Sequence, residues 1–197
     1  MGERGGRAQD TAQRLRAAAR DAFDELGYGA ARIEDVVNRA GVSHGTFYTY
    51  YPNKAAILEA LVRDTAARLE AVASASWEAP DVHAAVRSVI GRFLEVFAEE
   101  ADVVAVWREA AAADASFRDL LGEVRSGYVE RVAEQLAPLT SRDIDATVAA
   151  SALVAMVEGY AVERYAAATS AERAAAVRTL AALWYGGLTE LSSGPGG

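Results

Sequence analysis

One stretch constrains the chain more than any other: Ile33-Glu34-Asp35-Val36-Val37-Asn38-Arg39-Ala40-Gly41-Val42-Ser43-His44-Gly45-Thr46-Phe47-Tyr48-Thr49-Tyr50-Tyr51. Ile33, Val36, Val37 and Ala40 recur three or four apart, which places them on one face of a helix. Gly41 follows at once and accepts the left-handed backbone that ends a helix and turns the chain. Val42 is apolar in the turn and plugs the gap between the helices. Ser43 caps the next helix through its hydroxyl oxygen. Phe47 and Tyr51 lie four apart and point inward, which leaves His44, Thr46, Tyr48 and Thr49 outward. Two short helices around a tight turn, the second with a polar outer face, form a helix-turn-helix whose second helix enters the DNA major groove. A capping box would place an acid or Gln three residues after Ser43. Thr46 stands there instead, so the start of that helix carries no negative charge against a phosphate, and Gly45 leaves the backbone uncovered.

Ala40-Gly41-Val42-Ser43, Gly45-Thr46-Phe47-Tyr48, Tyr51 and Lys54 together resemble the N-terminal domain of the TetR/AcrR family of transcriptional repressors, over roughly residues 10 to 60. Gly27-Tyr28 fits the same pattern. The resemblance implies phosphate contacts for Tyr48 and Lys54, a phosphate or thymine-methyl contact for Thr46, and base readout for His44 and Thr49. Ser43 and Gly45 complete the contacting turn. The chain departs from the family at Ala31-Arg32, where Thr is usual, and at Val37, where Ala is usual. Arg32 replaces the phosphate contact with a charge-assisted one but cannot cap.

The chain has 197 residues, more than half of them apolar, and no Cys. It is long enough to bury a sizeable core, and it excludes disulfides, thiol catalysis and the commonest zinc sets. No metal or cofactor is expected. The net charge of −8 is unevenly spread. Residues 1–54 hold eight Lys and Arg against seven Asp and Glu, while residues 55–197 hold twelve against twenty-one. The acid therefore sits outside the helix-turn-helix, and an acidic body orients the other end toward DNA. No apolar run of spanning length lacks a charge, and the N-terminus has no signal-peptide core; the expected location is the cytoplasm, with no membrane partner.

Hydrophobic periodicity predicts an all-α fold of about nine helices: a three-helix helix-turn-helix domain followed by a larger helical domain. Residues 1–9 read as a flexible arm bearing Arg4 and Arg7. Residues 10–54 form the DNA-binding domain, with Asp10 and Gln13 boxing the first helix. Residues 55–191 form the effector-binding and dimerisation domain, and 192–197 a flexible tail. Asn53 caps helix 4, which Trp77-Glu78-Ala79-Pro80 breaks. Helix 8 is expected over about 141–168, and Thr169 with Glu172 boxes helix 9.

Helices 8 and 9 are apolar on more than one face and need neighbours on two sides. Pairing with their twofold copies gives a homodimer through Leu153, Val157, Leu180, Trp184 and Leu188, which would set two reading heads on a palindrome. The aromatics of helices 5 to 8, with Arg92, Arg108, Glu109, Glu158, Glu163 and Arg164 near them in sequence, either fill the core or line a small-molecule site. The candidates are Phe93, Phe97, Trp107, Tyr128, Met156 and Tyr160. The resemblance implies an effector pocket there, whose occupation moves helix 4 and so the heads. Glu99-Glu100 reads as a solvated helix end, and no catalytic constellation is present. The expected function is a repressor that binds a palindromic operator as a homodimer and is released by a small, largely apolar or aromatic effector. The alternative is a DNA-binding regulator whose body serves only dimerisation or protein contact.

Overall fold

The structure, a computed structural model, describes residues 2–74, 81–139 and 144–192, with side chains placed for all of these except 2–7, 82, 139 and 188–192. Among the described residues there are nine α-helices and no strand: α1 (Gly2–Ala30), α2 (Ile33–Ala40), α3 (His44–Tyr50), α4 (Lys54–Ser74), α5 (Val82–Glu99), α6 (Ala101–Ala113), α7 (Ala115–Leu136), α8 (Ala146–Tyr160) and α9 (Ser170–Ser192). A 3-10 turn, Ala137–Leu139, follows α7, and a π-helical segment, Ala161–Tyr165, follows α8.

Several boundaries correct the expectations. α1 begins at Gly2, so residues 2–9 are helical and Asp10 lies inside the helix rather than at its cap. α8 begins at Ala146, capped by the Asp145 carboxylate on the Thr147 and Val148 N–H groups, and its α-helical part ends at Tyr160. Other cap signals hold. The Asn53 side chain accepts from Ala56 N–H at 2.8 Å, and Thr169 and Glu172 form the reciprocal box; Asp81, not marked as a cap by the sequence, accepts from Ala84 N–H at 2.6 Å. The expected break at 77–80 lies outside the described residues, as do 141–143 and the tail from 193.

The chain divides into two compact units, residues 1–65 with 102–121, and 66–101 with 122–197. In the first, α1 packs on α2 and α2 on α3. Leu15, Phe23, Val36, Phe47, Ile57 and Leu58 are almost fully buried, each stabilising the unit by about 1.5–3 kcal/mol over its exposed state. In the second, α5 lies against α8, the π-helical segment and α9. Its core holds Val86, Ile90, Leu94, Leu136 and Tyr165. Arg68 pairs with both Glu99 and Glu100. Glu100 is buried, so the solvated helix end that the sequence suggested holds for the exposed Glu99 and not for Glu100.

Candidate nucleic-acid interface

The turn between α2 and α3 follows from its residues. Gly41 has φ 63° and ψ 41°, the left-handed conformation that Gly adopts without a Cβ penalty. Val42 N–H reaches back to Val37 O at 3.1 Å and Gly41 N–H to Asn38 O at 3.3 Å, closing the carbonyl end of α2. Arg14 of α1 adds a guanidinium bond to Ala40 O. At the other end, the Arg32 backbone N–H donates to Asp35 Oδ2 at 2.8 Å. The Arg32 side chain makes no capping bond and is left exposed, which agrees with its inability to accept a hydrogen bond.

α3 is anchored through Phe47, which is fully buried and packs against Tyr51 at 5.9 Å between ring centroids. Ser43 Oγ accepts from Thr46 N–H at 3.1 Å and lies 2.9 Å from Thr46 Oγ1. Thr49 Oγ1 donates to Gly45 O at 3.0 Å, so its hydroxyl is turned back onto the helix's own carbonyl. His44, Gly45, Tyr48 and Thr49 are exposed, and Thr46 is half-buried. Tyr48 is 55% exposed although a large aromatic, with only the edge of Phe47 against it at 5.6 Å. Of the other expected contacting residues, Arg32 and Ser43 are exposed too. Arg39 is engaged by Glu25 at 2.6 Å.

Lys54 stands differently. Its Nζ donates to Tyr28 O, to Ala31 O at 2.9 Å and to Gly29 O at 3.4 Å, and lies 4.4 Å from the Tyr28 ring centroid. Burial lowers its pKa, and the charge of Glu109 opposes that shift. The ammonium is turned toward the end of α1.

Residues 15–61 match the family model for bacterial regulatory proteins of the tetR family. The matched run takes in α2, α3 and the turn between them. The exposed polar face of α3 lies within the matched residues. Solved structures share the fold over nearly the whole length. The fatty acid degradation regulator FadR from Bacillus halodurans is 22% identical with a TM-score of 0.77, covering 90% of this chain and 96% of its own. Salmonella enterica GusR is 18% identical with a TM-score of 0.76, covering 93% and 96%. A TetR-like regulator from Rhodococcus sp. RHA1 is 24% identical with a TM-score of 0.69, covering 91% and 96%. No curated protein matches the chain in sequence.

The aromatic set expected to line a pocket divides. Phe93, Phe97 and Tyr128 form one cluster, with Phe93 5.0 Å from Phe97 and 5.6 Å from Tyr128. Tyr128 O–H donates to Glu158, which also accepts from Arg125 Nε at 3.0 Å. Burial, then the Glu158 charge, pushes the Tyr128 phenol well above its ordinary pKa. Tyr160 is half-buried and packs edge-on to Tyr165 at 6.5 Å, and Met156 is half-buried on α8. Trp107 belongs to the other unit, where its indole N–H donates to Phe117 O at 3.1 Å. Glu109 also belongs there. A small apolar cavity of about 20 Å³ is lined by Ala73, Val89, Ile90, Phe93, Val154 and Trp184, with Val132 and Val157 completing its wall. That is room for one water molecule.

The residues expected at a dimer face divide as well. Val157, Leu180 and Trp184 are buried within their own unit, with the Trp184 indole bonded to Leu153 O at 3.2 Å. Leu153 is half-buried, and the Leu188 side chain lies outside the described part. The outward residues are their neighbours: Val148, Ala152, Ala155, Gly159 and Val162 along α8 and the π segment, and Leu183 on α9. Sequence periodicity located an apolar helix but not which of its apolar faces turns inward. Ala146–Tyr165 is long and apolar enough to cross a membrane, and 22% of it is buried within the structure.

Proposed function

We propose that this protein is a repressor that binds a palindromic operator in the cytoplasm as a homodimer and is released by a small, largely apolar or aromatic effector. The observation that carries the reading is the outer face of α3: Tyr48, His44 and Thr49 stand exposed on a helix fixed from behind by the fully buried Phe47. In this reading residues 10–54 read DNA, with Tyr48, Arg32, Ser43, Gly45 and Thr46 on phosphates and His44 and Thr49 on base edges. Residues 55–191 dimerise and hold the effector.

A homodimer is supported by the outward stripe Val148, Ala152, Ala155, Gly159 and Val162. Monomeric proteins seldom leave such an apolar stripe to water. A Cβ on Gly159 or Gly186 would meet no atom within 4 Å, which leaves room for another backbone. Two heads related by a twofold axis would meet half-sites about 35 Å apart. An effector that prefers one head spacing would shift the population between DNA-competent and incompetent states.

A second reading is a regulator with no small-molecule effector, and the cavity of about 20 Å³ in the α5, α8 and α9 unit favours it. The first experiment is fluorescence anisotropy of the purified protein against DNA flanking its own gene, with random duplex as competitor and Tyr48→Ala as control. Saturable, selective binding that Tyr48→Ala weakens at least tenfold supports the repressor reading; failure to discriminate any duplex in a selection from random DNA overturns it. Adding a panel of apolar and aromatic compounds to the complex separates the two readings. Release by any of them favours an effector, and none releasing favours the second.

A further inference from the structure

We propose that Glu109 on α6 and Lys54 at the start of α4 act as a paired clamp on the Gly27–Ala31 turn, and that both are positioning residues for the reading head rather than phosphate ligands. The assignment rests on the DNA-binding reading above but stands on geometry within one compact unit.

The turn is unusual at its first residue. Gly27 has φ 76° and ψ 157°, a region essentially restricted to Gly. That geometry leaves the next amides without helical acceptors. Glu109 supplies acceptors from 80 residues away: Tyr28 N–H donates to Oε2 at 3.0 Å and Gly29 N–H to Oε1 at 3.1 Å. A Cβ on Gly27 would come within 3.3 Å of Glu109 Oε2, so the carboxylate lies directly against the bare backbone. The carbonyls of the same run face Lys54, which takes Tyr28 O, Gly29 O and Ala31 O. An ammonium has three donors, and all three are directed into this turn. Three backbone residues, Tyr28, Gly29 and Ala31, are thus held with an anion on two of their amides and a cation on their carbonyls.

The clamp joins the parts that set where α3 points. Gly27–Ala31 is the connection into α2, and α2 carries α3 through the Gly41 turn. Glu109 is not the sole tie from α6. Arg20 on α1 pairs with Asp102, and the Tyr28 ring packs edge-on to Phe23 at 5.5 Å and to Phe117 at 5.6 Å. The Arg20–Asp102 pair fixes α6 along α1, while Glu109 fixes it to the turn itself. A phosphate could reach Lys54 only by withdrawing it from three carbonyls and from the face of Tyr28.

The test separates positioning from charge by the salt dependence of DNA binding. Each phosphate contact contributes about 0.9 to the slope of log K against log salt. Glu109→Gln and Lys54→Met are compared with wild type by anisotropy on the selected operator across a salt series. The clamp predicts that each weakens binding about tenfold with the slope unchanged, and that the double variant loses less than the two singles combined. Amide hydrogen exchange supplies a readout independent of DNA: Tyr28 and Gly29 should exchange faster in Glu109→Gln. Glu109→Asp keeps the charge and serves where Glu109→Gln fails to fold by circular dichroism; its shorter carboxylate should restore part of the protection at these amides. A slope reduced by about 0.9 in Lys54→Met, with Glu109→Gln binding as wild type, would overturn the proposal, as would unchanged exchange at Tyr28 and Gly29. Where wild type selects no DNA at all, the repressor reading fails, and the exchange rates still decide the clamp.

Discussion

Phe47 and Tyr48 are adjacent in sequence and have opposite roles. Phe47 is fully buried and Tyr48 is 55% exposed. Phe47→Ala should therefore destabilise the protein by about 3–5 kcal/mol through the cavity it leaves, with DNA binding lost as a consequence. Tyr48→Ala should change stability by less than about 0.5 kcal/mol, with DNA binding lost on its own. Denaturant titration of both variants checks the contrast, and equal destabilisation would contradict the orientation of α3. This pair was legible in the sequence, because a four-residue spacing fixes which aromatic turns inward. The partners of Lys54 were not. Its place in the family pattern points to a phosphate, and nothing local announces that the Tyr28, Gly29 and Ala31 carbonyls converge on it. Glu109 itself reads from its neighbours as a polar group near a pocket, and its bonds to Tyr28 and Gly29 are formed across the unit.

At the scale of elements, the Ser43, Asn53 and Thr169 caps were legible in the sequence, whereas Asp10 lies inside α1 and the Asp81 and Asp145 caps went unread. Asp81, Asn53 and Thr169 all accept from first-turn amides. The box at α9 also yields a pH dependence. Glu172 accepts from Thr169 N–H at 2.8 Å and Thr169 O–H at 2.7 Å, and these bonds hold its pKa below the ordinary 4.5. A depressed carboxylate stabilises the fold fully above the unfolded value and loses that contribution as pH falls through the folded one. The stability difference between wild type and Glu172→Gln should thus be present at neutral pH and shrink as the pH falls below 4.5. Denaturation at the two pH values measures it. Helix 8 was less legible. Its apolar residues run all round, so periodicity set neither its start nor its inward phase. The π-helical segment Ala161–Tyr165 leaves no signature in hydropathy. It places the Tyr165 hydroxyl 2.8 Å from Glu95 and the Arg173 guanidinium 5.0 Å from the ring, and burial with the Glu95 bond raises that phenol to about 12. Tyr165→Phe should cost about 1 kcal/mol, measured by thermal melting.

For the whole molecule, the outward stripe on α8 and Leu183 on α9 bear on assembly. Val148 is 65% and Leu183 56% exposed, so a charge at either costs the isolated chain little. Val148→Glu with Leu183→Glu should convert the expected dimer to monomer on size exclusion, leave helicity unchanged, and weaken operator binding by the loss of the second half-site. Operator binding unchanged in the double variant would remove these helices from the interface. What the sequence determined by itself was governed by short-range spacing: the nine helices found among the described residues, the helix-turn-helix with its Gly41 turn and Ser43 cap, and the inward Phe47. Such features depend on residues three or four apart, whose relation a helix fixes in advance. Only the tertiary structure decided that Glu109 and Lys54 meet at Gly27–Ala31, that Trp107 belongs to a different compact unit from Phe93 and Tyr128, and that Trp184 turns inward while Leu183 turns out. Those depend on contacts between residues far apart in the chain, and on which face of a helix apolar all round its neighbours bury, which no local period encodes.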